Sequence, residues 1–461
     1  MVFSSIPFLY FFLPAALLVY FVAPSGAKNA VLLFFSLIFY FFGEQAYIVI
    51  MLLQITAAYF SARAIEKLRG KRAKLIMIIS VGACISSLLF FKYTDFFIES
   101  VGALGLPISP LGLALPMGIS FFTFQTVSYV IDVYRGDACA QKNFVSFACY
   151  VSMFPQLVAG PIVRYGDIEK SLCRRTFSAE GICGGAFRFA VGLLKKVILA
   201  DRLYEFCRAY LSSNDTSVVF AWAYAAAFLL YVYFDFSGYS DMAIGLGKMF
   251  GFDFPENFNY PLISGSVSEF WRRWHITLGT WFRDYVYIPL GGNRRGAARH
   301  IFNLAVVWLL TGLWHGAAVT FVLWGAYFGA LVIIEKLFFL RVLKRAPRPI
   351  RHVYLVVAAV VGFVFFGAGS AGEALGTISQ MFGSAPLISR ETVYYIQSYG
   401  LVLSLAALGA TKLPKILFSK IAKRVHGAVP VLKAALTAAV VVVSTAYFVD
   451  GSFSPFLYFR F

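Results

Sequence analysis

The stretch Ile301-Phe-Asn-Leu-Ala-Val-Val-Trp-Leu-Leu-Thr-Gly-Leu-Trp-His315-Gly316 decides how this chain is to be read. It is an apolar run that ends on a histidine, and a second apolar run follows over 317–338. An ionisable group at the junction of two such runs is costly in hydrocarbon, and is a functional-site candidate by default. A second histidine closes the aromatic stretch Ser268-Glu-Phe-Trp-Arg-Arg-Trp-His275, in a chain with five histidines in all. A neutral imidazole near pH 7 is well suited to take a proton from a hydroxyl group. The pair points to acyl transfer inside a bilayer.

Working outward, apolar runs recur near 6–23, 29–43, 46–62, 75–92, 113–131, 182–200, 217–234, 301–315, 317–338, 354–370, 396–411 and 434–449. Crossing the hydrocarbon core takes roughly 17–25 apolar residues. The 461 residues are 60% hydrophobic and 13% charged, with 50 Phe and 26 Tyr, against about 25% charged in soluble domains. The expectation is an all-α integral membrane protein with roughly eleven or twelve transmembrane helices, forming one domain over residues 1–461. Two shorter runs, 144–159 and 236–250, read as re-entrant or interfacial helices, tolerated at depth where protein covers their ends. The run 182–200 reads either as a span or as a surface helix, because Arg188, Lys195 and Arg202 recur along one face.

The net charge of +18 is carried by clusters between the runs: Arg63–Lys74, Arg164–Arg175, Arg272–Arg299, Arg341–Arg351 and Lys412–Lys433. Lys and Arg pool in cytoplasmic loops, so this basicity reads as topology and not as nucleic-acid binding. With every cluster inside, the amino terminus and segment 93–112 fall outside. No basic residue precedes Lys28, which is not the layout of a cleaved signal peptide. Six cysteines show no CxxC pair, so neither a metal site nor a disulfide framework is expected.

Within the second histidine's stretch, Ser266 and Glu269 have capping-box spacing, and a continuous helix is predicted to Tyr287. On it Trp271, Trp274, His275, Leu278, Trp281, Phe282 and Tyr285 share one face, with Arg272, Arg273 and Arg283 on the other. The loop after it, Gly291-Gly-Asn-Arg-Arg295, sets Asn293, Arg294 and Arg295 beyond a tight turn, where they can hold phosphates or simply anchor topology. Trp314 flanks His315, which a helix broken at Gly312 and Gly316 would bring to mid-depth. Asp235 and Asp241 lie amid Ser and Tyr hydroxyls and suit structural or histidine-orienting roles; six residues apart, they share a helical face only if Gly238 breaks the helix.

Taken together, several motifs resemble those of the membrane-bound O-acyltransferase superfamily, in its alginate O-acetyltransferase-like branch. They are Met1-Val-Phe-Ser-Ser, Phe154-Pro-Gln-Leu-Val-Ala-Gly-Pro161 with its continuation to Asp167, Tyr233–Gly245, Phe270-Trp-Arg-Arg-Trp-His275, Tyr287–Arg295, Leu313-Trp-His-Gly316 and Pro455–Phe461. The resemblance implies that His315 is the catalytic histidine and His275 its partner. It also implies acetyl-CoA as cytoplasmic donor, a polysaccharide acceptor outside, and a separate extracytoplasmic SGNH-type partner protein. The setting would be the inner membrane of a bacterium. In the mechanism this suggests, basic residues of Arg272–Arg299 hold the CoA phosphates. His315 takes the hydroxyl proton, and His275, or a group it orients, stabilises the oxyanion. Two other readings stay open: a D-alanyl transferase of teichoic acid type fed by a carrier protein, and a polysaccharide or lipid transporter.

Overall fold

In the computed structural model, residues 2–102, 105, 108–383, 385–451 and 456 are described, and among them the chain is all helix with no strand. Most of the ending motif Pro455–Phe461, and Met1, lie outside the described residues. Among the described residues, six helices are long and apolar enough to cross a membrane: Ser25–Lys67, Lys71–Gly102, Val218–Met249, Ala297–His315, Arg348–Gly367 and Val429–Val449. A seventh span is added if Arg390–Gly409 and Leu413–Val425, bent by 73°, count as one. Among the other expected runs, Phe8–Val22 and Ile119–Arg135 are helices of 15 and 17 residues, short of the roughly 20 that a straight span needs, whereas Val319–Ile334 runs on unbroken through Glu335–Phe339 and Leu340–Arg345. Runs 29–43 and 46–62 join in one 43-residue segment. Leu18, Phe34, Leu53, Phe60, Leu401 and Val442 are exposed on the outside of these helices. A surface of that kind is at home in lipid, where no water is lost by contacting it.

Three local expectations are corrected. Segment 236–250 is not a separate re-entrant helix but the end of Val218–Met249, unbroken at Gly238. Gly312 does not break a helix: Ala297–His315 is continuous and stops only at Gly316. A Cβ at Gly312 would sit 2.4 Å from the Phe321 carbonyl oxygen, and one at Gly325 would sit 2.6 Å from that of Trp308. These glycines therefore let two helices meet backbone to backbone, the usual use of small residues in membranes. The third correction is the predicted helix 266–287, treated with the site below. Segment 144–159 is two short helices, Phe144–Ser152 and Phe154–Leu157.

The chain divides into two compact units, one of residues 1–191 and 239–255, the other of 192–238 and 256–461. In the first, Ile119–Arg135 is buried from Ile119 to Val130 and carries a polar stripe that includes Thr123, bonded to Gln54 of a neighbouring helix at 3.1 Å. Phe3 is fully buried there and stacks on Tyr239 at 4.7 Å. The second unit is built on an aromatic core in which Trp271, Trp308, Trp324, Phe328 and Phe363 meet mostly edge to face, the arrangement ring quadrupoles favour.

Candidate active site

The site lies in the second unit, and its geometry begins with a helix that fails to continue. Ser266 caps Val267–Arg273 by accepting from the Glu269 amide at 3.1 Å. Glu269 returns to the Gly265 amide, one residue before the cap. The buried carboxylate of Glu335 accepts from the Val267 and Ser268 amides, 2.7 Å each, so this helix start is doubly satisfied. Trp274 is then extended and His275 is left-handed, φ 43 and ψ 54. A second short helix, Ile276–Phe282, and a π-turn, Arg283–Tyr287, complete what the periodicity read as one helix. A left-handed non-glycine residue costs on the order of 1–3 kcal/mol and persists only where its surroundings hold it.

Asn257 does the holding. Its backbone oxygen accepts from the Ile276 amide at 3.0 Å. Its side-chain oxygen accepts from the Thr277 hydroxyl at 2.9 Å and lies 3.1 Å from His275 Nδ1. His275 is 3% exposed, with the Phe236 ring against it at 4.7 Å, and its Nε2 has no hydrogen-bond partner among the described residues. Burial pushes the His275 pKa down to about 3, because desolvation penalises the imidazolium. The ring is neutral throughout the physiological range.

His315 ends its helix and is 5% exposed. Trp314, Trp324 and Phe366 pack edge to face around it at 4.9, 4.9 and 5.1 Å. The Trp314 ring also touches His275, at 5.7 Å. Both histidines line one cavity of about 630 Å³. Leu304, Val307, Trp308, Thr311 and His315 supply one wall. The eleven helical steps from Leu304 to His315 make that wall about 16 Å long.

The cavity sorts the other expected residues. Trp271, Trp274, Arg272 and Arg283 line it; Arg273, Asn293, Arg294 and Arg295 are not among its lining residues. Arg273 is held by Glu269 at 2.8 Å and reaches the Asn259 carbonyl. Arg294 and Arg295 are exposed on the turn made by Gly291 and Gly292, which Asn303 braces. Arg283 is paired with Asp284. Arg272 has no acidic partner within ion-pair distance among the described residues, and neither has Lys336, a lining residue that the sequence reading missed. The two cations are close enough for the Arg272 charge to act on Lys336, and among the described residues no carboxylate lines the cavity. Lys336 was visible only as one cation closing an apolar run. Asn257 was visible only as part of a polar turn.

Asp235 and Asp241 take structural partners. Asp235 shares the fully buried Lys196 with Asp201, at 2.8 Å to each carboxylate. Asp241, in the first unit, pairs with Arg188 at 2.8 Å. Among the described residues no cluster of His, Cys, Asp and Glu suits a metal ion.

Against known proteins, residues 140–372 match the model of the membrane-bound O-acyltransferase family. The chain is 41% identical to the probable alginate O-acetylase AlgI of Azotobacter vinelandii, over 83% of this chain and 78% of that protein. It is 34% identical to the peptidoglycan O-acetyltransferase of Helicobacter pylori, over 83% and 80%. The teichoic acid D-alanyltransferase of Bacillus subtilis is 28% identical over half of this chain. With helices that cross a bilayer and a match that spans both histidines, this chain belongs to the membrane-bound O-acyltransferase family and is a multi-pass membrane acyltransferase.

Proposed function

We propose that this protein moves an acetyl group from cytoplasmic acetyl-CoA to a hydroxyl of an extracytoplasmic polysaccharide, with an SGNH-type partner completing the transfer, in the inner membrane of a bacterium. The observation that carries the reading is the cavity: it is lined by two buried histidines and by two cations that have no carboxylate within ion-pair distance among the described residues. Like charges set together are unfavourable unless an anion answers them, and phosphates of the donor supply that anion. The positive-inside rule sets Arg272 and Lys336 at the cytoplasmic face. The long helix wall asks for an extended arm between the anionic group and the reacting carbon, as the thioester arm of CoA provides. Relatives named as alginate and peptidoglycan O-acetylating enzymes support acetyl transfer and a glycan acceptor.

In the reaction the acceptor oxygen forms a bond to the thioester carbonyl carbon, and the carbon–sulfur bond breaks. His315 takes the hydroxyl proton and passes it to the departing sulfur, work worth about a hundredfold to ten-thousandfold. Trp324 and Phe366 hold its ring edge to face in apolar surroundings. The D-alanyl reading is less well supported, since its relatives align over only about half of this chain. The test is release of free CoA from acetyl-CoA by purified protein in detergent, wild type beside a folded His315→Ala. Full turnover by the variant would overturn the scheme.

A further inference from the structure

The sequence-based scheme left His275 two ways to serve the oxyanion, by donating to it directly or by orienting another group. The hydrogen bonds around Asn257 discriminate between them. The Asn257 side-chain atom facing His275 also faces the Thr277 backbone amide, at 3.3 Å, and the Thr277 hydroxyl. A backbone N–H can only donate, so this atom is the amide oxygen and not the amide nitrogen. An amide oxygen can only accept, so His275 Nδ1, 3.1 Å away, carries the hydrogen. A neutral imidazole has one N–H, which leaves a lone pair at Nε2.

We propose that Asn257 is a positioning residue for acyl transfer: it locks His275 in the Nδ1–H tautomer, so that Nε2 holds a hydrogen-bond donor, a water or the acceptor hydroxyl, and never itself donates to the oxyanion. This rests on the O-acetyltransferase reading for its meaning in catalysis, though the tautomer stands on the hydrogen-bond geometry and the burial of the ring. The left-handed turn at His275 belongs to the same device. It breaks the helix between Trp274 and Ile276, and Asn257, 18 residues earlier, fastens both the ring and the start of the next helix. Orienting partners of this kind typically change activity by about 10- to 100-fold.

Two measurements test it. The first is the ¹⁵N resonance of the His275 ring in the full-length protein, assigned by its loss in His275→Ala. A bare, pyridine-type Nε2 is expected; a protonated, pyrrole-type Nε2 would overturn the assignment, whatever the enzyme's activity. The second is CoA release by Asn257→Leu, Asn257→Asp and the His275→Ala/Asn257→Leu double variant. Asn257→Leu should lower kcat by about 10- to 100-fold with KM for acetyl-CoA little changed. Asn257→Asp keeps an acceptor for Nδ1–H and should restore much of kcat, with the acid limb of the pH profile moved up because a carboxylate favours the imidazolium. In the His275→Ala background, Asn257→Leu should cost nothing more. Wild-type kcat in Asn257→Leu, or losses that multiply in the double variant, would overturn the positioning role. Absence of CoA release by wild type even with acceptor glycan and partner protein supplied would instead sink the O-acetyltransferase reading and leave the ring resonance to decide the tautomer.

Discussion

Two polar clusters in the second unit contrast in how their groups are satisfied. Around Lys196 every charge is answered: one ammonium, fully buried, sits 2.8 Å from both Asp201 and Asp235. Around the cavity, His275 is buried and neutral with an idle Nε2, and Arg272 and Lys336 have no carboxylate within ion-pair distance among the described residues. A closed ion network is expensive to open and holds helices in place. A cluster with spare valences is the one equipped to meet a ligand. Both lie in apolar surroundings, so depth alone does not mark a catalytic group; the state of its partners does.

Substitutions should separate the two clusters, and the largest effect belongs to the cavity. His315→Ala should reduce CoA release by about 10²- to 10⁴-fold while its unfolding midpoint in detergent stays near wild type. Lys196→Met should do the reverse. Removing the ammonium leaves two buried carboxylates unanswered, a loss of about 3–5 kcal/mol, read as a lower unfolding midpoint. A Lys196→Met protein as stable as wild type would break the comparison. Arg272→Gln and Lys336→Gln should each raise KM for acetyl-CoA by roughly tenfold, the scale of a charge-assisted hydrogen bond of about 1.5 kcal/mol, with kcat nearly unchanged. Arg294→Gln/Arg295→Gln should have the smallest effect, under about twofold in KM, since an exposed charge beyond the cavity is screened by salt. If the loop variant mattered more than Lys336→Gln, the phosphates would belong on the turn.

Much of this was legible from the chain. His275, His315 and the tryptophans beside them stood out because ionisable groups are rare in apolar runs, and Arg272 because it opens the basic cluster that follows them. The Ser266 cap also formed where its spacing placed it. The misreadings share one cause. Residues 266–287 carry a helical period on both sides of His275, and the periodicity survives a one-residue kink that the backbone does not. Gly312 looked like a breaker because a lone sequence shows a missing side chain but not the neighbouring helix that needs its absence.

Composition and the placement of two histidines among apolar, aromatic residues determined by themselves that this is a membrane protein and which imidazoles to watch, because the cost of burying charge is paid residue by residue. Only the tertiary structure decided which cations share the histidines' cavity, that Asp235 answers Lys196, and that Asn257 chooses the tautomer of His275. Those are matters of a few tenths of a nanometre between residues distant in the chain, and a hydrogen bond depends on that distance and not on sequence spacing.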